Sequence, residues 1–87
     1  MNFYERFFIK VESYAMRKYG VDQAYRDLDP LRWYVETGRA SMEFIKKLCN
    51  CKPFMIARLL HEGGSIEEQI NRVRAYVAER SENERRN

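Results

Sequence analysis

The sequence predicts an all-α protein, a small helical domain of four to five helices that contains a helix-turn-helix. Apolar residues recur at three- and four-residue spacing along most of the chain, and glycine or proline interrupts this periodicity at intervals. No stretch alternates apolar and polar residues for long enough to form a paired strand. The 87 residues fit one domain, which we assign to residues 1–80, followed by a frayed polar tail at 81–87.

The N-terminal half predicts two helices and a short segment between them that could form a further one. Residues 2–19 carry a broad, aromatic-rich apolar face, and Gly20 supplies the left-handed residue that commonly closes a helix. Residues 21–28 are the short segment, with Asp22 as its cap. Asp29 and Pro30 then suit the N-cap and first position of the next helix, which Gly38 ends.

The segment 41–62 predicts the two helices of the helix-turn-helix. Ser41 suits the N-cap of the first, and Pro53 suits the first position of the second. Asn50 lies between them, and asparagine tolerates the left-handed backbone that a sharp turn needs. Two short helices joined by such a turn form a helix-turn-helix, so we place this motif at about 41–62.

A last helix is predicted after Gly63 and Gly64. Ser65 and Glu68 have the spacing of a capping box, in which each side chain bonds the other residue's backbone N–H. A narrow stripe of four apolar residues follows at helical spacing: Ile66, Ile70, Val73 and Val77.

The positive charge is concentrated in the same central segment. Residues 1–38 hold six basic and six acidic side chains, and residues 63–87 hold five of each. The net charge of +3 therefore lies in residues 39–62. A local positive field is typical of a phosphate-binding surface, although a chance cluster on a solvated face would give the same count.

The stretch GRASMEFIKKLCNCKPFMIARLLHEGGSIEEQI, residues 38–70, resembles the helix-turn-helix segment of small phage and mobile-element DNA-binding regulators. Two positions depart from that pattern: Lys46 replaces a small residue, and Asn50 replaces the turn glycine. The resemblance implies that five residues fall at buried positions: Ile45, Cys49, Cys51, Ile56 and Leu59. It also implies that a recognition helix at about 53–62 enters the major groove of double-stranded DNA.

On this interpretation the protein is a sequence-specific transcription regulator or repressor. Arg58 is the candidate for base recognition, because a guanidinium pairs bidentately with guanine, and Phe54 is placed to touch a thymine methyl unless it belongs to the core. Ala57 lies between the exposed residues. The predicted DNA-binding residues are Arg39, Lys46, Lys47, Lys52, Phe54, Arg58 and His61.

A homodimer is also expected, because nine of the twelve aromatic residues occur in the first 38 positions and exceed what a small core needs. The predicted dimer interface on the first helix comprises Phe3, Tyr4, Phe7, Phe8 and Val11. The alternative is a non-enzymatic protein-binding module, such as a phage-encoded inhibitor or antitoxin, that uses this aromatic face for its partner.

Other classes of protein are disfavoured. Cys49, Cys51 and His61 offer at most three zinc ligands, and no nucleophile–base pair or glycine-rich phosphate loop is visible. We therefore expect no enzyme, no cofactor and no metal site. The two cysteines are expected to be reduced, and charged residues interrupt the first ten positions, so we expect a cytoplasmic protein without a membrane segment.

Overall fold

The computed structural model describes the backbone of residues 2–86 and the side chains of residues 2–80. Five helices and no strand are formed within these residues, which confirms the all-α fold class. The helices are α1 (Phe3–Tyr19), α2 (Val21–Glu36), α3 (Met42–Leu48), α4 (Pro53–His61) and α5 (Ile66–Arg86).

A single glycine separates α1 from α2. Gly20 has φ of +89°, and its N–H donates to the Met16 carbonyl at 3.1 Å. Its own carbonyl accepts from the Ala24 N–H at 3.0 Å, so it also begins α2. A positive φ is costly for residues with a Cβ, which explains why this tight reversal uses glycine.

The prediction that Pro30 begins a separate helix is wrong, because α2 runs through it from Val21 to Glu36. Pro30 removes one backbone hydrogen bond and is ordinarily costly inside a helix. Here it is buried, and its neighbours Leu28 and Leu31 are fully buried in the core. The burial of leucine side chains on both sides of the proline compensates for the lost hydrogen bond. Helix propensity considers each residue alone and does not include this burial.

The ends of α3 and α4 confirm the predicted caps but not the predicted turn. The Ser41 hydroxyl accepts from the Phe44 N–H at 3.0 Å, and Pro53 is the first residue of α4. In residues 2–86 every positive φ belongs to glycine, so Asn50 is not left-handed. Its side-chain amide instead donates to the Lys46 carbonyl at 3.2 Å, which satisfies one of the free carbonyls at the end of α3.

Helix α4 occupies the centre of the fold. It packs on α1, α2 and α5, while α3 packs on α5. Ile56, Ala57 and Leu60 of α4 are fully buried. The predicted capping box at the start of α5 is confirmed, because Ser65 N donates to Glu68 Oε1 at 2.9 Å and Glu68 N donates to Ser65 Oγ at 3.1 Å.

Two groups of residues that the sequence predicts to be buried are only partly buried. On α5 the core takes Ile70, Val73 and Val77, whereas Ile66 is 53% exposed. Of the five positions that the resemblance assigned to the interior, Cys51 and Ile56 are buried, and the other three, Ile45, Cys49 and Leu59, are half-buried.

Most of the predicted dimer face belongs to the protein's own core. Phe7, Phe8 and Val11 are at most 7% exposed within one chain, so assigning them to a dimer interface is wrong. Helices α2 and α4 cover this face of α1. Phe3 is exposed, and Tyr4 is half-buried beside Phe8.

The predicted frayed tail at 81–87 lies outside the side chains that the structure describes. Of the helices in the described part of the chain, none is both long enough and apolar enough to cross a lipid bilayer.

Candidate nucleic-acid interface

The structure does not bring the seven predicted DNA-binding residues together. The Arg39 guanidinium stacks on the Trp33 ring, with 4.4 Å between its carbon and the ring centroid. Lys47 pairs with Glu43 of its own helix at 2.9 Å. Both residues line grooves beside α5 and not the exposed side of α4.

His61 links α4 to α2. Its Nδ1 lies 2.7 Å from Oδ2 of Asp27, and its ring stacks on Tyr19 with 3.6 Å between centroids and an 8° interplanar angle. The Asp27 side chain is only 4% exposed and also accepts from Gln23 Nε2 at 2.7 Å. A histidine held by a buried carboxylate and an aromatic ring serves the fold, and is poorly placed to leave that position for a base.

The outer side of α4 is narrow. Ala57, predicted to lie among exposed residues, is fully buried, so that expectation is wrong. Phe54 is half-buried against Tyr14, with 6.1 Å between ring centroids. Arg58 remains exposed, as does Lys52 just before the helix. Arg58 is therefore the predicted base-reading side chain of α4 that is exposed and is not held by a neighbouring ring or carboxylate.

A groove between the first half of α1 and the end of α3 is lined by three basic side chains. It encloses about 490 Å³, and Arg6 and Lys10 line it from α1, while Lys46 and Asn50 line it from the α3 side. We term these four residues the basic groove. All three cations are exposed, and none forms an ion pair with any side chain in residues 2–80.

Charge is divided between the two sides of α1. Arg6 and Lys10 are one helical turn apart and face α3, whereas Glu5 and Glu12 line a separate groove against α2. Glu12 pairs there with Arg32 at 3.3 Å. The basic groove therefore contains no acidic side chain among its lining residues.

The net charge of a whole segment does not show how its charged side chains are divided between the faces of a helix. Residues 1–38 are electrically balanced, so Arg6 and Lys10 were not identified as candidates. Their four-residue spacing was the available signal, because residues i and i+4 share a helix face. Lys46, which departs from the family pattern, is the residue that extends the basic face of α1 across to α3.

The floor of the groove is apolar and neutral. Phe7 and Cys49 line it, and burial raises the pKa of the Cys49 thiol to about 11, with the nearby Cys51 adding to the effect. Cys49 is therefore a neutral thiol near pH 7. Neither Cys49 nor Cys51 forms a disulfide within the described residues.

No protein-family model, curated protein or solved structure matches this chain. The functional interpretation consequently depends on the groove's own geometry and charge. The resemblance to helix-turn-helix regulators stays a prediction.

Proposed function

We propose that this protein is a non-enzymatic, DNA-binding regulator that holds the phosphate backbone of double-stranded DNA in the basic groove. The observation that supports the proposal is the convergence of Arg6, Lys10 and Lys46, three unpaired cations from two helices, in a groove with no acidic lining residue. Asn50 adds an amide that can donate to a phosphate oxygen.

Salt dependence gives the proposal a quantitative form. Each phosphate that a cation neutralises adds about 0.9 to the slope of log affinity against log salt. Three or four contacts per copy therefore predict a slope of about −3 to −4. Such a small footprint gives weak non-specific binding, with a dissociation constant of about 1–100 µM at physiological salt.

Sequence recognition, on this proposal, belongs to the helix-turn-helix at about 41–62. Arg58 would approach base edges from α4, and Lys52 would meet a phosphate beside the basic groove. Phe54 is assigned to packing because of its contact with Tyr14, and His61 because of its bond to Asp27. Arg39 and Lys47 are assigned to the grooves beside α5, because Arg39 stacks on Trp33 and Lys47 pairs with Glu43.

A regulator that makes few contacts per copy gains specificity by binding two half-sites, so the proposal includes a homodimer in the cytoplasm. The dimer surface first predicted on α1 is largely core. The alternative of a protein-binding module acting through the N-terminal aromatic residues loses support for the same reason, since Phe7 and Phe8 are buried within the chain.

The test is a fluorescence-anisotropy titration with random duplex DNA at two salt concentrations. Lys10→Gln and Lys46→Gln should each weaken binding and each reduce the salt slope by about 1. Arg26→Gln is the matched control, because Arg26 is an exposed cation on α2 outside the basic groove. Circular dichroism should show equal helix content in all variants.

Two results would contradict the proposal. One is an absence of binding at low salt. The other is an equal loss of affinity in Arg26→Gln and in the two groove variants, which would mean that net charge alone governs the interaction. If duplex binding holds, selection from a random pool should yield a preferred site, and Arg58→Ala should relax the preference at one or two positions of it.

A further inference from the structure

A second groove runs along the outer flank of α5. Its upper part encloses about 510 Å³ between the end of α2 and the start of α5, and its lining includes Trp33, Ile66 and Glu67. Its lower part lies between α3 and α5, and both parts share Asn71 and Arg74. No lining residue is common to this flank and the basic groove.

This flank exposes large apolar side chains. Trp33 is 43% exposed and Ile66 is 53% exposed, on opposite walls of the upper part. Arg39 stacks on the Trp33 ring and holds one face of it. Exposed aromatic and aliphatic groups of this size beside arginine are typical of the centre of a protein interface.

The charges of the flank are self-complementary. Glu67 and Arg74 are seven residues apart, so they lie two helical turns from each other on the same side of α5. Both are exposed, and neither forms an ion pair with another described side chain. If two α5 helices lie antiparallel about a two-fold axis between Ile70 and Asn71, each Glu67 faces Arg74 of the other copy.

Apolar residues border this charged pair. Ile66 lies on the edge of the pair that faces α2, where it lines the same groove as Trp33. Ala75, which is small and exposed, lies nine residues further on and therefore on the opposite edge of the helix. A second α5 helix laid along Glu67 and Arg74 would cover part of Trp33 and Ile66 on the first of these edges.

We propose that the flank formed by Trp33, Ile66, Glu67, Asn71, Arg74 and Ala75 is a self-association surface that pairs two copies of this chain through antiparallel α5 helices. The occupant is a second copy because a two-fold interface must complement itself, and the Glu67–Arg74 pair does so. The inference is independent of DNA binding, and the dimer leaves both basic grooves uncovered.

Two measurements on the full chain test whether it associates. Sedimentation velocity from about 5 µM to about 500 µM should show a reversible monomer–dimer equilibrium, since exposed interfaces of modest size bind in the micromolar range. Trp33 is the only tryptophan, so its emission should shift to shorter wavelength as the concentration rises. Both changes report the same equilibrium, and the second reports burial at the proposed surface.

Charge reversal tests the register. Glu67→Arg and Arg74→Glu should each weaken association by about tenfold or more, because each places like charges opposite one another twice per dimer. The double variant Glu67→Arg/Arg74→Glu should restore the wild-type dissociation constant. Glu79→Arg reverses an exposed charge of the same helix outside the groove and should leave association unchanged.

Three results would overturn the proposal: a monomer throughout the concentration range, single variants that associate like the wild type, or a double variant that fails to regain association. Circular dichroism of each variant separates loss of the dimer from loss of the fold. The expected pattern is loss in both single variants, recovery in the double variant and no effect of Glu79→Arg.

Discussion

Replacing His61 with alanine should destabilise the protein more than is usual for a partly exposed residue, since the His61 side chain is 39% exposed. The Nδ1 atom of His61 lies 2.7 Å from the carboxylate of Asp27, which is 4% exposed. The substitution leaves that carboxylate in the interior with the Gln23 amide as its remaining described partner. It also removes the ring that stacks on Tyr19.

The magnitude follows from these contacts. Leaving a buried polar group without a hydrogen-bond partner costs about 1–3 kcal/mol, and water can reach Asp27 from the partly exposed His61 side, so we expect a cost of roughly 2 kcal/mol. Loss of the aromatic stack adds about 0.5–1 kcal/mol. The total of roughly 2–3 kcal/mol corresponds to a fall in Tm of about 10–20 °C for a domain of this size.

Urea unfolding followed by circular dichroism measures this change. Glu62→Ala is the matched control, because Glu62 is the next residue and makes only an exposed 3.8 Å pair with Arg72. The control should lose less than about 1 kcal/mol. In a double-mutant cycle with Asp27→Asn, the two sites should show a coupling energy of about 1–2 kcal/mol.

A small effect would refute this reasoning. If His61→Ala costs no more than Glu62→Ala, the contact with Asp27 contributes nothing to folding. A coupling energy near zero with a large single-mutant cost would mean that the stacking on Tyr19, and not the bond to Asp27, is what holds α4 against α2.

Three further changes have defined outcomes. The hydrogen bond from the Ser65 N–H lowers the pKa of Glu68 below its ordinary value of 4.5. The contribution of this bond to stability is therefore present above the unfolded-state pKa and is lost as the pH falls through the lowered value. Glu68→Gln should flatten the stability profile on the acid side of pH 4.5 in urea titrations. The raised pKa of Cys49 predicts slow alkylation by iodoacetamide at neutral pH in the folded protein, and a rate equal to that of the unfolded chain would contradict it. The Tyr4 hydroxyl is buried without a hydrogen-bond partner among the described residues, and burial raises its pKa, so Tyr4→Phe should leave stability unchanged or raise it by up to about 1 kcal/mol. Thermal unfolding measures this last change, and a loss of stability would reveal a partner for the hydroxyl.

Features set by a few neighbouring residues were predictable from the sequence. Gly20, Ser41 and Pro53 mark helix ends, and the Ser65–Glu68 box begins α5 as expected. Gly20, Ser41 and the capping box each depend on hydrogen bonds made within three or four residues, and Pro53 suits a helix start because its missing N–H would have no partner there. These local effects depend little on how the helices pack.

Features set by tertiary packing were not predictable in this way. The helix break at Pro30 was wrong because burial in the core outweighed a local preference. The assignment of Phe7 and Phe8 to a dimer was wrong because other helices of the same chain cover them. The contact between Asp27 and His61 joins residues 34 apart, and no spacing in the sequence indicates it.

The candidate site also has one part that the local sequence indicates and another part that depends on tertiary packing. Lys46 and Arg58 were identified from a local excess of charge, whereas Arg6 and Lys10 lie in a balanced segment. Whether they converge with Lys46 depends on how α3 lies against α1, which the sequence does not state. Sorting charges by helix face and not by segment would have indicated the α1 half of the groove.

Because opposite charges lie on the two sides of α1, this protein has an electric dipole as well as a net charge. Glu5, Glu12 and Glu36 line one side with Arg32, and the basic groove lies across the helix, about 10 Å away. A net charge of only +3 would attract a polyanion weakly from a distance, but a charge separation of this kind turns the molecule as it approaches. On the proposed function, the protein would approach a phosphate backbone with the basic groove turned towards it, which raises the fraction of encounters that lead to binding.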